Sequence, residues 1–524
     1  MKRPQLVSSG SLDRMLKAAE ESWNRRDFQQ AIEILERASR LNPANAAVLL
    51  ELGRYYGLRY DYAAAERCFE KAIRIAPAKA LALTLAAEKC LEFARQEPAE
   101  RYFKLALEQK DAPPEAFAEL AEIYERQHRL EAANALVDRA LQLNGTCGLA
   151  LLTRARLDRE AGRVEQAEKA VRTLLNQPDP GLHESFARDT RIRGWYELGA
   201  ILDCQKRFDE AMAAFVQAKS MLRLYAGQQM AELKANHATM KQASERISAD
   251  VLHRWFDFGA QLGPERRLAL VCGHPRSGTT LLEQVLDAHP DIVSAEETTA
   301  FYDDAFVPLA RNLGANEPAP PVLAAALQKS REGYFRSIES FLGQPIGGRL
   351  LIDKNPVFTT LLPQFIRIFP EIKFLVALRD PRDVCLSNFM QPILLQRNQS
   401  GPRRNRSSNL SLEGIVETYT VLMGTWTKVA PLMKNPYLEV RYEDMVEDLE
   451  SVARRTLDFL GVPWDPRVLG FDEHARKKTV RSPTYADVTK PVFKTAVGRW
   501  RNYQKHLEPY LDKLAPFAKA FGYE

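Results

Sequence analysis

Small and large apolar residues alternate with a fixed period through the first part of the chain. Ala31, Leu35 and Ala38 are followed 34 residues later by Ala65, Phe69 and Ala72. The same triad continues at Ala99, Phe103 and Ala106, at Ala133, Val137 and Ala140, at Ala167, Val171 and Leu174, and, after an insertion, at Ala211, Phe215 and Ala218. Small residues at fixed helical positions let two antiparallel helices approach closely, so the pattern predicts stacked helix pairs.

This period resembles that of the tetratricopeptide repeat and covers about Ser11–Leu222. We predict an array of about six units over residues 1–222, followed by a connecting helix over 223–264. Gly263 and Pro264 mark the next boundary, and residues 265–524 form the second domain. The resemblance implies a surface that binds a peptide or protein, or one that only braces its neighbour.

The pattern changes after this boundary to that of an α/β domain. Leu268–Cys272 is a short continuous apolar run, as in a buried parallel strand, and Phe374–Leu378 is another. The first run leads into Gly273-His-Pro-Arg-Ser-Gly-Thr-Thr280 and then into apolar residues at helical spacing. A strand, glycine loop and helix N-terminus in this order form a cradle for an anion. The fold class predicted is therefore α + α/β, with a central parallel sheet in the second domain.

The glycine loop matches the spacing of the nucleotide P-loop except at one position. Thr279 stands where the lysine that contacts the β- and γ-phosphates is found. Arg276, inside the loop, can supply a cation instead. The loop therefore favours a phosphosulfate over a triphosphate as its ligand.

These residues resemble a known family at several separate points. The loop Pro275–Thr280, the segment Leu286-Asp-Ala-His-Pro290 and Glu296-Glu297-Thr298 resemble the tyrosylprotein sulfotransferase branch of the sulfotransferases that use 3′-phosphoadenosine 5′-phosphosulfate (PAPS). The resemblance extends over about Arg267–Trp500. It implies that the 5′ end of PAPS is held by the loop residues Arg276, Ser277, Gly278, Thr279 and Thr280.

The resemblance also implies roles for residues outside the loop. Arg379 and Ser387 are expected to hold the 3′-phosphate, Lys354 to contact the transferring sulfuryl group, and Tyr442 to lie near the adenine. Near the end of the chain, the elements that cover the donor are expected to include Ser482, Thr484, Gly498 and Arg499. Either Ser482 or Thr484 fills the hydroxyl position there.

Sulfuryl transfer needs a base for the acceptor hydroxyl and cations for the leaving group. We predict Glu297 as the base, and we expect the adjacent Glu296 to point elsewhere. Lys354 and Arg276 would offset the developing charge. No metal is expected, because PAPS lacks a charge-dense triphosphate. Thr299 stands where the tyrosine-peptide members carry an arginine, which leaves the acceptor open.

Composition limits the remaining possibilities. A chain of 524 residues is too long for one core, and its net charge of +5, spread among acidic residues, suits an anionic ligand without indicating nucleic-acid binding. The six cysteines are scattered without a CxxC or Cys/His cluster, which argues against a disulfide framework and against a zinc site. The chain shows no signal-peptide pattern and no apolar run of about 20 residues, so we expect a cytoplasmic protein without a membrane span. Its oligomeric state is not predicted.

Two other functions fit parts of the pattern. The first is a P-loop nucleoside triphosphatase or kinase, for which Asp353 and Asp380 are the candidate metal ligands. The second is a repeat scaffold with an inactive α/β domain. The missing loop lysine argues against the first, and the complete set of motif residues argues against the second.

Overall fold

A computed structural model describes residues 10–178, 185–223, 226–313, 319–392, 410–477, 488–489 and 495–523. These residues fall into two compact units. The described part of the first lies within residues 1–205, and the second begins at Lys206.

The described part of the first unit is helical throughout, with short turns between the helices. Its helices are α1 (Gly10–Asn24), α2 (Phe28–Leu41), α3 (Ala46–Leu58), α4 (Tyr62–Ile75), α5 (Lys79–Glu92), α6 (Gln96–Leu107), α7 (Pro114–Arg126), α8 (Leu130–Leu143), α9 (Gly148–Glu160), α10 (Val164–Leu175) and α11 (Ser185–Cys204). The predicted helical repeat is confirmed.

The apolar triads explain how these helices pack. The triad residues on α2, α4, α6, α8 and α10 are all buried. Small residues are needed opposite them: a Cβ placed on Gly53 of α3 would lie 2.5 Å from Phe69 Cε1 of α4. The helix faces therefore interlock at a distance that larger side chains would prevent.

The turns inside the pairs repeat with the same period. Arg26, Tyr60, Ala94, His128 and Gly162, each 34 residues after the one before, all have a positive φ, between 56° and 76°. Only one of them is glycine, so the left-handed turn is imposed by helix packing at a cost of about 1 kcal/mol at each of the other positions.

Partly buried ion pairs connect side chains on the first helices of different pairs. Glu122 of α7 accepts a hydrogen bond from Arg156 of α9 at 2.7 Å and another from Arg193 of α11. Arg159 of α9 donates to Glu197 of α11 at 2.5 Å. Each carboxylate thus keeps a guanidinium partner, and removing one partner would leave a charge that is poorly solvated and unpaired.

The second unit begins with three helices, α12 (Phe208–Arg223), α13 (Gly227–Glu245) and α14 (Ala249–Phe258). Helix α12 carries the sixth triad, which is buried. Its Lys219 Nζ lies 3.5 Å from the carbonyl oxygen of Gln391, and Arg223 donates to that of Leu410 at 3.1 Å. Two helices stand where one connecting helix was predicted, because Ser248 caps the start of α14. The domain limits at 222 and 264 stay predictions.

A five-stranded parallel sheet forms the centre of the second unit. Its strands are β1 (Leu268–Gly273), β2 (Ile292–Glu296), β3 (Leu350–Lys354), β4 (Lys373–Leu378) and β5 (Tyr437–Arg441), in the spatial order β2-β3-β1-β4-β5. The remaining described α-helices of the unit are α15 (Thr279–Asp287), α16 (Val307–Leu313), α17 (Pro320–Leu342), α18 (Leu362–Ile368), α19 (Pro381–Met390), α20 (Leu412–Val429), α21 (Tyr442–Glu447), α22 (Leu449–Leu460), α23 (Phe471–Lys477), α24 (Gln504–Leu507) and α25 (Leu511–Ala520).

The register brings the carboxyl ends of the strands to one edge. Gly273 of β1 pairs with Ala377 of β4, and Glu296 of β2 pairs with Lys354 of β3. Strands β1, β2 and β3 are buried along their whole length, as in parallel sheets covered on both faces. Ligands of such sheets bind beyond the carboxyl ends of the strands.

Among the helices of the described ranges, none is both long and apolar enough to cross a membrane.

Candidate active site

The glycine loop between β1 and α15 has a backbone that only glycine can adopt at two points. Gly273 has a φ of 124°, and a Cβ there would lie 2.4 Å from the carbonyl oxygen of Ala377. Gly278 has a φ of 91°, and a Cβ there would lie 2.8 Å from Tyr442 Cδ2. The loop therefore packs tightly against β4 and against the start of α21.

Arg276 also has a left-handed backbone, with a φ of 80°. Its Nε donates to Ser387 Oγ of α19 at 3.1 Å, and Arg379 Nη1 donates to the Arg276 carbonyl oxygen at 3.4 Å. Strain of this kind is typical of functional loops, where the surrounding contacts hold it in place. The tertiary structure thus brings together three of the predicted donor-binding residues, from the loop, the end of β4 and α19.

Arg379 is the centre of this group. Its guanidinium carbon lies 4.6 Å from the centre of the Tyr442 ring, and its Nη2 lies 3.9 Å from Asp383 Oδ2. Its Nη2 also donates to the carbonyl oxygen of Ala496. Its Nε is buried and has no hydrogen-bond acceptor among the described residues. A buried donor without an acceptor costs about 1–3 kcal/mol, which a phosphate oxygen would remove.

Asp383 was not predicted, yet it connects this group to the C-terminal part of the unit. Its two carboxylate oxygens accept hydrogen bonds from the backbone N–H groups of Gly498, at 2.6 Å, and Trp500, at 2.8 Å. Burial raises the pKa of Asp383, although Arg379 and these N–H groups oppose the shift. Gly498 and Arg499 are therefore held beside Arg379. Ser482 and Thr484 lie outside the described residues.

Lys354, at the end of β3, is fully buried and lies beside the start of α15, the helix that follows the glycine loop. Its Nζ donates to Glu297 Oε1 at 3.1 Å, to Glu296 Oε1 at 3.2 Å and to Thr280 Oγ1 at 3.4 Å. Burial alone would lower the pKa of Lys354, but the carboxylates of Glu297 and Glu296 raise it above its ordinary value. The side chain is therefore an ammonium cation.

The prediction that Glu296 points away from Glu297 was wrong. Glu296 ends β2 in register with Lys354, so their side chains lie on the same face of the sheet. Glu297 leaves the strand with a φ of 50°, and its N–H donates to the Lys354 carbonyl oxygen at 2.7 Å. This turn interrupts the alternation of a strand and brings the second carboxylate back to the same ammonium group.

Glu283, one turn into α15, is a further carboxylate that was not predicted. It is fully buried, accepts a hydrogen bond from Ser294 and accepts another from Gln284 at 2.8 Å. Together with Glu297 and Glu296, it raises the pKa of Lys354. Glu283 follows the predicted Thr279 by four residues and therefore lies on the same face of α15. This spacing was the signal in the sequence that could have placed Glu283 near the site.

Burial shifts the pKa values of two further groups beside the site, Asp353 and His274, toward their neutral forms. Burial raises the pKa of Asp353 to about 7, and its Oδ2 accepts a hydrogen bond from Tyr334 at 2.9 Å. Burial lowers the pKa of His274 to about 4, and its Nδ1 lies 2.7 Å from the carbonyl oxygen of Pro275. Among the described residues, no group of three or more His, Cys, Asp or Glu side chains is arranged to hold a metal ion.

Known proteins match both parts of this chain. Residues 269–466 match the Sulfotransferase family, and residues 46–79 match the tetratricopeptide repeat. Protein-tyrosine sulfotransferase 2 of Gallus gallus is 25% identical over 338 residues, which are 58% of this chain and 85% of that protein. An uncharacterized protein of Aquifex aeolicus is 25% identical over 358 residues, which are 66% of this chain but only 43% of that protein.

Among solved structures, the sulfotransferase domain of the Synechococcus PCC 7002 olefin synthase aligns with 50% of this chain and 97% of its own length, at 22% identity and a TM-score of 0.37. The family matches agree with the glycine loop and with the parallel sheet that carries it. Residues 269–466, which carry the glycine loop and most of the sheet, are therefore similar to the Sulfotransferase family, and the helical region before them is similar to the tetratricopeptide repeat.

Proposed function

We propose that the protein transfers a sulfuryl group from PAPS to an acceptor hydroxyl, with Glu297 as the general base. The observation that carries this proposal is the position of Lys354, whose ammonium group contacts both Glu297 and Thr280 at the start of α15. The proposal thus joins a candidate base, a cation and the anion-binding end of a helix at one place.

The donor fits the residues on the other side of the loop. Arg276, Ser387 and Arg379 form one connected group, and Arg379 Nε lacks an acceptor among the described residues. A 3′-phosphate needs two or more cationic or hydroxyl donors, which this group can supply. The ring of Tyr442, stacked on Arg379, is a suitable neighbour for the adenine. The residues Ser277, Gly278 and Thr279 would hold the 5′ end with their backbone N–H groups.

The reaction would proceed by in-line transfer. The acceptor oxygen forms a bond to sulfur while the bond from sulfur to the 5′-phosphate oxygen breaks, and adenosine 3′,5′-bisphosphate leaves with the electron pair. Glu297 takes the proton of the acceptor hydroxyl. Lys354 and Arg276 offset the charge that develops on the sulfuryl and leaving-group oxygens. No step requires a metal ion.

A protein tyrosine is the first acceptor to test, because the named relatives include protein-tyrosine sulfotransferases. Thr299 in place of the family's arginine argues for testing other hydroxyls beside it. The helical repeats would recruit a peptide or protein acceptor, or the protein that carries it. A cytoplasmic location stays a prediction from the sequence.

Calorimetry with adenosine 3′,5′-bisphosphate and with ATP, each with and without Mg²⁺, tests the donor. We expect tight binding of the bisphosphate without Mg²⁺. Magnesium-dependent binding of ATP alone would support the nucleoside triphosphatase instead. Transfer of label from ³⁵S-PAPS to a tyrosine peptide, to its Tyr→Phe counterpart, to a glycan and to a phenol then identifies the acceptor class.

A second experiment separates an enzyme from a scaffold. The variants Glu297→Gln and Arg276→Ala should each abolish the cellular function of the gene if transfer is what matters. Retention of that function by both variants, at unchanged protein levels, would favour the repeat scaffold with an inactive domain.

A further inference from the structure

Tyr523, which follows α25, contacts the beginning of α19 through one carboxylate. The Tyr523 hydroxyl donates to Glu443 Oε2 at 2.7 Å, and the N–H of Asp380 donates to Glu443 Oε1 at 3.3 Å. Glu443 therefore binds Tyr523 with one carboxylate oxygen and Asp380 with the other. Asp380 directly follows Arg379 in the chain.

Tyr523 is fixed independently of this hydrogen bond. Its side chain is buried, its N–H donates to the carbonyl oxygen of Ala518 at 2.7 Å, and the guanidinium carbon of Arg441 lies 4.3 Å from the centre of its ring. Arg441 also donates to the carbonyl oxygen of Gly522 at 3.2 Å. Burial, and then the carboxylate of Glu443, raises the pKa of Tyr523, so its phenol remains a hydrogen-bond donor.

The Asp380 side of the contact is equally ordered. Asp380 Oδ1 accepts hydrogen bonds from Arg382 N at 2.9 Å and Nε at 2.8 Å, and the Arg382 guanidinium carbon lies 4.2 Å from the centre of the Trp500 ring. Glu443 thus holds the backbone N–H of Asp380 at the turn that follows β4. Its hydrogen bond sets the path by which the chain leaves β4 and hence the origin of the Arg379 side chain.

Glu443 is also next in the chain to a residue of the proposed donor site. It follows Tyr442, whose ring faces both Gly278 and the Arg379 guanidinium. The Glu443 carboxylate therefore connects Asp380, the residue after Arg379, with the buried phenol of Tyr523. The backbone of Glu443 itself directly follows Tyr442 at the start of α21. Hydrogen bonds to a carboxylate are about twice as strong as neutral ones, so this connection resists displacement of the turn.

We propose that Glu443 and Tyr523 are positioning residues that fix Arg379 for the 3′-phosphate of the donor. This inference rests on the proposed function. Neither side chain needs to touch the donor; both act through the backbone of Asp380. The expected consequence is specific to the 3′-phosphate, because the 5′ end of the donor is held by the loop before α15.

The test compares two ligands with one variant. Calorimetry measures binding of adenosine 3′,5′-bisphosphate and of adenosine 5′-monophosphate to the full chain and to Tyr523→Phe, which removes only the hydroxyl. We expect the bisphosphate to bind about fivefold more weakly to the variant, while the monophosphate changes by less than about twofold. Glu443→Gln should lower the ratio of the two affinities at least as much.

Tyr510→Phe is the matched control, since Tyr510 lies in the same C-terminal part of the unit and is half-exposed. It should leave both affinities unchanged. An equal loss for both ligands in Tyr523→Phe, or no loss for either, would contradict the positioning role while leaving the proposed function in place. Failure of the unmodified protein to bind the bisphosphate would overturn the proposed function itself.

Discussion

The ammonium group of Lys354 lies 3.1 Å from Glu297 Oε1, and the lysine side chain has no exposure to solvent. Glu296 lies at 3.2 Å from the same nitrogen, but its side chain is 2% exposed, against 16% for Glu297. Glu297 is therefore the carboxylate that a substrate can reach, whereas Glu296 is enclosed with the lysine. The two adjacent glutamates have different surroundings, and we expect different effects when each is replaced.

Glu297→Gln should lower kcat for sulfuryl transfer by about 10²- to 10⁴-fold, the usual contribution of a general base, and change donor affinity little. Glu296→Gln should act mainly on stability, because it removes one of the carboxylates that keep a buried ammonium paired. Steady-state kinetics and thermal unfolding of both variants check this. A stable Glu296→Gln protein with the larger loss of kcat would reverse the assignment.

Gly273→Ala should disrupt the glycine loop, because its Cβ would meet the Ala377 carbonyl oxygen at 2.4 Å with φ at 124°. Gly347 also has a positive φ, of 65°, but nothing lies within 4 Å of a Cβ there. Gly347→Ala should therefore cost only about 1 kcal/mol of unfolding free energy, and Gly273→Ala several times more. Urea denaturation measures both. Equal losses would show that the contact with β4 is not the constraint.

Ser387→Ala should weaken donor binding, because it removes the acceptor of the Arg276 Nε hydrogen bond at 3.1 Å together with a predicted phosphate ligand. We expect KM for PAPS to rise about tenfold, with a smaller change in kcat at saturating donor. Ser340→Ala, at an exposed position near the end of α17, serves as the control. An unchanged KM for PAPS would remove Ser387 from the donor site.

Asp353→Asn should change how stability depends on pH. Burial raises the pKa of Asp353 to about 7, whereas an unfolded aspartate releases its proton near pH 3.9. The native state therefore binds more protons between these values, so the contribution of Asp353 to the unfolding free energy decreases as pH rises from about 4 to 7. The variant lacks this decrease.

Relative to the unmodified protein, Asp353→Asn should therefore have a higher unfolding free energy at pH 7.5 than at pH 5. Urea denaturation at both values measures it, with the exposed Asp512→Asn as the control. A difference that is the same at both pH values would show that the buried carboxyl does not titrate in this range.

Much of the architecture follows from local patterns. The 34-residue period placed the buried triads on α2, α4, α6, α8, α10 and α12, because helix pairs that stack must repeat their small residues in register. The apolar runs predicted at Leu268 and Phe374 became β1 and β4. The glycine loop was also readable, since positive φ at Gly273 and Gly278 excludes most other residues.

The sequence by itself thus determined the helical repeats, the parallel sheet and the anion cradle, because these depend on neighbouring residues and on the periods of helix and strand. Only the tertiary structure decided how Lys354 is paired. The sequence led us to expect that Glu296, next to Glu297, would point elsewhere, but the left-handed turn at Glu297 brings both carboxylates to one ammonium group. Asp383 and Glu443 likewise form hydrogen bonds with residues 63 to 117 positions away, where no local pattern reaches.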